Sequence, residues 1–199
     1  VNQCLTGNSF DFDNTGSTGS GETYAWEFGD ITPGPQGTST NENPTYNYPD
    51  SGTFDVQQIV NLGGCADTAN INVIVHPMPV PAALVDSVNC NGENSGAITI
   101  ALPMVVGTPP YTYSIAPPGA ATANTSAGLT AGTYTITVTD ANLCSGTVTS
   151  TVFEPVVLNV SGTFTNPTCF GFNDGTATAN PTGGTGTYSY SWAPGGQTT

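Results

Sequence analysis

The sequence predicts an all-β protein built as a string of small β-sandwich domains, the last of them incomplete. Three observations carry that expectation. The first is alternation. From Thr133 to Thr139 the side chains of Tyr134, Ile136 and Val138 fall on one face and four threonines on the other, the period of a half-buried strand. β-branched and aromatic residues suit such a pleated surface. The second is punctuation: short stretches of this kind are separated by Gly, Pro, Asn and Asp turn signals, as in a sandwich. The third is an internal repeat. Cys90-Asn91-Gly92-Glu93-Asn94-Ser95-Gly96 returns 79 residues later as Cys169-Phe170-Gly171-Phe172-Asn173-Asp174-Gly175. Tyr111-Thr112-Tyr113 returns 77 residues later as Tyr188-Ser189-Tyr190, and Pro117 and Gly119 return as Pro194 and Gly196. A period this long exceeds the ~20–50 residues of solenoid repeats. It suits successive domains that each enclose a core.

Residues 1–77 form the first module. Phe10 and Phe12 alternate with Asp11 and Asp13 as one strand, and Asn14 to Gly21 is a loop. Tyr24 to Phe28 is a strand with its aromatics on one face, ended by a turn at Gly29-Asp30. Ile31 to Asn43 is a polar loop. Asn43 to Tyr48 leads into a turn at Pro49-Asp50-Ser51-Gly52. Thr53 to Val60 is a strand with Phe54 and Val56 on one face, Asn61 to Gly64 a turn, and Thr68 to Val75 a final strand with Ile71, Val73 and Val75 inward. His76-Pro77-Met78-Pro79-Val80-Pro81 then reads as a stiff, extended connector that holds successive domains apart and roughly in line. Residues 78–155 make the second module, which ends in the similar Phe153-Glu154-Pro155-Val156. Residues 156–199 make a partial third. Thr199 aligns with Thr122, so the counterparts of the Thr133–Thr139 strand and of Cys144 are not reached, and the sequence reads as a window on a longer chain.

Small domains bury little core and often carry covalent staples. The five cysteines are assigned one bridge per module, Cys4 with Cys65 and Cys90 with Cys144, leaving Cys169 for a partner outside the window. A bridge closing a loop of this size contributes about 4 kcal/mol and implies an oxidising, extracytoplasmic setting. The alternative is five reduced, buried cysteines in a cytosolic protein.

The chain has no lysine and no arginine, and its fourteen carboxylates give a formal charge of −14. Phosphate backbones are bound through Lys and Arg, which argues against nucleic acid as a partner. Anionic membrane surfaces are disfavoured for the same reason. There is no run of about 18 apolar residues, so this segment is not expected to insert directly into a membrane. Dispersed negative charge favours solubility.

Several of these stretches carry resemblances. Trp26-Glu27-Phe28-Gly29-Asp30, then Asn43-Pro44 with Tyr46 and Tyr48, then Gly52-Thr53-Phe54-Asp55-Val56, give the first module a pattern that resembles the polycystic kidney disease (PKD) domain, an immunoglobulin-like sandwich of extracellular proteins. Tyr46 stands where that family commonly has histidine. Residues 82–155 and 156–199 resemble the SprB repeat of very large surface proteins of gliding and related Bacteroidetes. The carrying residues are Cys90-Asn91-Gly92 with Asn94 and Gly96, Pro110-Tyr111-Thr112-Tyr113, Leu129 with Gly132-Thr133-Tyr134, and Val138-Thr139-Asp140-Ala141-Asn142 with Cys144. The glycine common before that last cysteine is here Leu143. The resemblances imply tandem immunoglobulin-like domains of an exported adhesin at the cell surface.

An enzyme is not expected. His76 is the single histidine, so no histidine cluster can hold zinc, and a Ser–His–Asp triad would have to use a residue placed in the proline connector. No cofactor is implied. Calcium is weighed at the turns bearing Asn94, Asn173 and Asp174 and at Asp11, Asp13 and Asp30, because hard oxygen ligands suit it; the plainer reading is β-turns that use Asn and Gly for backbone reasons. Tyr46, Tyr48, Tyr111 and Tyr113 are weighed as sugar-stacking rings, with core packing as the default. If the Bacteroidetes resemblance holds, Asp67-Thr68-Ala69 and Asp86-Ser87-Val88 resemble that lineage's O-glycosylation acceptors, with Thr68 and Ser87 as the attachment residues. The function expected is a structural segment that extends a cell-surface adhesin. Its partners would be neighbouring domains, surface polysaccharide or like chains. The alternatives are a filament subunit assembled by β-strand exchange and an accessory carbohydrate-binding module of a secreted polysaccharide hydrolase.

Overall fold

The computed structural model describes residues 2–16, 20–30, 37–101, 106–117, 120, 121 and 123–193. Among them every regular element is a β-strand. The chain divides into two compact units.

The first unit comprises Val1–Pro81 with Leu102–Thr112 and Thr137–Thr147. Its strands are β1 (Asn2–Cys4), β2 (Phe10–Asp11), β3 (Thr23–Glu27), β4 (Thr38–Ser39), β5 (Thr45–Tyr46), β6 (Gly52–Leu62) and β7 (Cys65–His76). One sheet runs β1-β7-β6-β3-β4, and a second consists of β2 and β5. β1 lies parallel to β7; β3, β4, β6 and β7 pair antiparallel. The alternation read from the sequence places Phe10, Phe12, Trp26, Phe28, Tyr48, Val56, Val73 and Val75 in one buried cluster. Gly29 permits the turn expected of it. It sits at φ 70°, and a Cβ there would lie 2.5 Å from the carbonyl oxygen of Asp55.

The β6–β7 hairpin closes at Gly63-Gly64, both with positive φ, a backbone state that glycine adopts without steric cost. This turn sets Leu62 opposite Cys65 and carries the register to Gly52 opposite Val75. Ile71 departs from expectation. It is 46% exposed, whereas Val73 on the same face is 1% exposed. The reason is the sheet edge: β1 flanks β7 only from Ile74 to His76, so Ile71 lies on the open side of β7, while Val56 opposite it on β6 is 1% exposed. His76 also differs, being the last residue of β7, opposite Cys4. The proline connector is not free-standing. Pro79 is buried, and a Cβ on Gly146 would overlap its carbonyl oxygen, while one on Gly107 would lie 3.2 Å from its Cγ. The missing side chains of these two glycines let the connector pack into the unit.

The second unit comprises Ala82–Ala101, Tyr113–Ile136 and Val148–Thr199. The strands after β7 are β8 (Ala83–Asp86), β9 (Gly96–Ile100), β10 (Thr112–Ala116), β11 (Ala120–Ala121), β12 (Thr125–Leu129), β13 (Gly132–Thr139), β14 (Ser145–Val152), β15 (Asn159–Thr165) and β16 (Thr176–Thr182). They form sheets ordered β11-β12-β9-β8, β10-β13-β14 and β15-β16. Val88, Ile98, Ile100, Leu129, Tyr134, Ile136 and Val152 are buried. Tyr134, Ile136 and Val138 all face inward, as their alternation predicts. The stretches 102–112 and 137–147, which the repeat assigns to the second module, are grouped with the first unit. Pro194, Gly196 and parts of the two loops expected at 14–21 and 31–43 lie outside the described residues.

The repeat is visible in strand pairing. Leu84 faces Thr99 and Val85 faces Ile98 across β8 and β9. Thr163 faces Thr178 and Phe164 faces Ala177 across β15 and β16. The register is the same at a shift of 79 residues. In the first copy the β9 face is closed, since a Cβ on Gly96 would meet Val152. In the second copy Val160 and Phe164 stay exposed.

Candidate functional site: the bridged turn and the repeat junction

The cysteine pairing differs from expectation. Cys4 is bonded to Cys144, with Cα atoms 5.5 Å apart, while Cys65, Cys90 and Cys169 are free and exposed. Strand geometry excludes Cys4 with Cys65. Cys4 lies opposite His76, eleven positions along β7 from Cys65, about 36 Å at strand rise; a bridge needs Cα atoms within about 7 Å. Cys144 is taken by Cys4, so the expected pairing of Cys90 with Cys144 does not form. Cys144 precedes Ser145, the first residue of β14. The Cys90 turn follows Val88, whose N–H donates to the carbonyl of Phe153 just past the strand's end.

The turn from Asp140 to Cys144 presents the buried sulfur. Asp140 is 4% exposed. Its Oδ1 accepts the N–H groups of Asn142 and Cys144 at 2.9 Å each, and its Oδ2 accepts the N–H of Thr108 at 2.9 Å. Its own N–H donates to the carbonyl of Cys144 at 2.9 Å. Asn142 adds a bond from Nδ2 to Thr108 Oγ1 at 2.9 Å. With no lysine or arginine in the sequence, main-chain donors do the work that a basic side chain does at many buried carboxyls. Leu143 completes the turn at φ 66° with its side chain 81% exposed. The position is therefore a left-handed one, as the family's glycine there implies. Asp140 was legible only as part of a motif. Its spacing to Asn142 and Cys144, two and four residues on, is the signal for an Asx-type turn.

The Cys90 and Cys169 turns are copies of each other. Glu93 N–H donates to Cys90 O, and Phe172 N–H to Cys169 O; Gly92 and Gly171 sit at φ 79° and 84°. Asn89 N–H donates to Ser95 Oγ at 3.0 Å, and at the matching position Thr168 N–H donates to Asp174 Oδ1 at 3.0 Å. The hydrogen bonds from Thr168 hold the Asp174 carboxyl below its usual range. Around Cys90 the turn also grips the chain entering the next repeat. Asn91 Nδ2 donates to Pro155 O at 3.1 Å, Gly92 N–H to Glu154 Oε2 at 3.0 Å, and Thr185 Oγ1 to Asn89 O at 3.2 Å. Phe170 replaces Asn91 in the second copy and is fully exposed.

The remaining candidates are dispersed. Asp11 accepts from Thr45 Oγ1 and Asp30 from Tyr46 OH, each at 2.7 Å. Among the described residues no three His, Cys, Asp or Glu side chains converge. Asn94 and Asn173 are exposed on their turns. Tyr46 stacks on Phe28 at 4.2 Å and Tyr48 on Phe54 at 4.0 Å, and Tyr48 OH donates to Phe28 O. Burial, followed by the bond to Asp30, pushes Tyr46 up to about 12. Tyr111 and Tyr113 are half-buried. Thr68 lies exposed on β7 and Ser87 exposed just after β8.

The family model for the PKD domain matches residues 2–75. That for the SprB repeat matches residues 82–120 and 161–197. The chain is a PKD domain followed by SprB repeats. Its fold is all-β, with tandem immunoglobulin-like domains. The second SprB match covers the β15–β16 hairpin from Ser161 onward and the first covers β8 and β9, the two pairings that share a register. No curated protein matches the chain. Among solved structures, the amphioxus IgVJ-C2 molecule is 15% identical over 76% of this chain and 99% of its own, with a TM-score of 0.32. The mouse nectin-like molecule 4 ectodomain is 12% identical over 68% of this chain and 55% of its own, with a TM-score of 0.28. PKD domains and SprB repeats are typically non-catalytic modules of extracellular cell-surface proteins. No helix among the described residues is long and apolar enough to cross a membrane.

Proposed function

We propose that this PKD–SprB chain is a non-enzymatic structural segment of a secreted cell-surface adhesin of the gliding type, extending that adhesin and supporting attachment. The observation that carries the reading is the shared register of β8–β9 and β15–β16 at a shift of 79 residues. It marks one module used again along the chain, a means of adding length without new chemistry. The absence of basic residues suits a solvated, mutually repelling surface structure. Its partners in this reading are adjoining domains of the same chain and surface polysaccharide. Thr68 and Ser87 are its proposed glycosylation residues, and both are exposed. Antibody raised against the chain tests the reading on intact cells of the source organism. Labelling of unbroken cells, with gold particles standing off the envelope, is expected. Labelling only after lysis overturns it.

A second reading, a filament subunit joined by strand exchange, is favoured by the exposed Val160 and Phe164 on the β15–β16 hairpin, which offer a face for added strands. Sedimentation across a concentration series separates the two: polymers favour the filament, and a constant monomer mass favours the extended segment.

A further inference from the structure

We propose that the Cys4–Cys144 bridge is a tension bypass, which keeps the chain between its two cysteines folded while the rest of the segment yields. The inference rests on the reading of the chain as an extended surface segment. The sulfur atoms join residues 140 positions apart, so 139 residues lie inside one covalent loop. Force entering through Asn2 and Gln3 reaches Cys4, crosses the bridge to Cys144, and leaves through Ser145 into β14. It does not travel through the β6–β7 hairpin or the aromatic cluster around Trp26 and Phe28. Without the bridge the same force would fall on the three-residue parallel pairing of β1 with β7. Main-chain hydrogen bonds are individually weak beside a covalent S–S bond.

The turn that presents Cys144 suits the task. Asp140 holds both ends of it, accepting the Cys144 N–H and donating its own N–H to the Cys144 carbonyl. Thr108 ties the turn to a second segment of the first unit. Outside the loop lies β15–β16, a two-stranded sheet whose described residues are almost all exposed. An isolated hairpin of this kind is marginal in stability. The order of yielding follows: β14, β15 and β16 extend first, and residues 5–143 stay closed until the bridge is reduced.

The test is single-molecule stretching of the whole chain held at its two ends, with and without a dithiol reductant. At ~3.4 Å of extended chain per residue, the fully stretched oxidised protein should reach about 20 nm from end to end and the reduced protein about 68 nm. A stretched length near 68 nm under both conditions overturns the bypass. So does a stretched length near 29 nm for the oxidised chain, about the value at ~3.4 Å per residue for separate Cys4–Cys65 and Cys90–Cys144 loops. Either failure leaves the intact-cell labelling result as it stands, so the bypass and the surface reading fall separately.

Discussion

Asp140 Oδ1 accepts the backbone N–H of Cys144 at 2.9 Å, so a buried carboxyl group holds the cysteine that forms the bridge. Replacing it by alanine strands three main-chain donors, those of Thr108, Asn142 and Cys144. A buried donor left unpaired costs about 1–3 kcal/mol; the Cys144 N–H is buried, the Asn142 and Thr108 N–H groups are only partly so, and Asp140→Ala is expected to destabilise the protein by on the order of 3 kcal/mol. Urea unfolding measures it. Asp140→Asn keeps one acceptor oxygen and should lose less. Equal losses from the two variants would show that the acceptor role is not what matters.

Leu143 holds a left-handed backbone at φ 66° while its side chain projects into solvent. An L-residue in that conformation costs roughly 1–2 kcal/mol relative to glycine. Leu143→Gly is therefore expected to raise stability by about 1 kcal/mol, less the added freedom of the unfolded chain. A lowered melting temperature would contradict the assignment of strain there.

Thiol counting checks the pairing directly. Alkylation of the unfolded but unreduced protein should label Cys65, Cys90 and Cys169 and leave Cys4 and Cys144 untouched. Reduction before alkylation should label all five cysteines. A peptide joining Cys4 to Cys65 in the unreduced digest would refute the bridge described above.

Gly146 lies against the carbonyl of Pro79 with no room for a methyl group. Gly146→Ala is expected to push the proline connector out of the first unit and to cost roughly 1–3 kcal/mol, the usual penalty of overpacking. Hydrogen exchange at residues 78–82 should speed up in the variant. Unchanged exchange there would indicate that the connector is free in the parent protein.

Tyr46 titrates near 12 in the folded protein, above the ordinary value near 10. The folded state thus holds its phenol proton more tightly than the unfolded state does. The stabilisation from this group is complete below pH 10 and is lost as pH rises from 10 through 12. Tyr48, raised by burial as well, acts in the same direction. Thermal melts should show stability falling above pH 10, and the fall should be shallower in Tyr46→Phe. Identical alkaline profiles would remove Tyr46 as a cause.

Much of the first unit was legible in local pattern. Trp26, Phe28, Val56 and Val73 are buried as their alternation requires, and Gly63 and Gly64 make the turn that their residue type favours. Ile71 was not, although its alternation matches that of Val73. Whether an inward-facing side chain is covered depends on its lateral neighbours too, and β1 flanks β7 only from Ile74 onward, leaving Ile71 at the open edge of the sheet while Val56 opposite it is buried. Composition alone makes Pro79 part of a proline spacer. Its burial depends on Gly107 and Gly146, which lie 28 and 67 residues further along the chain.

The sequence by itself determined what is local or repeated: the strands, the glycine turns, the aromatic core of the first unit, and the two copies whose pairing agrees at a shift of 79 residues. Side-chain alternation and positive φ are properties of neighbouring residues, and they survive in any surroundings. Only the tertiary structure decided which cysteines meet. Cys4 lies one strand's length from Cys65 yet within bonding reach of Cys144, because the ends of strands are brought together by the packing of distant segments. No spacing along the chain records that proximity.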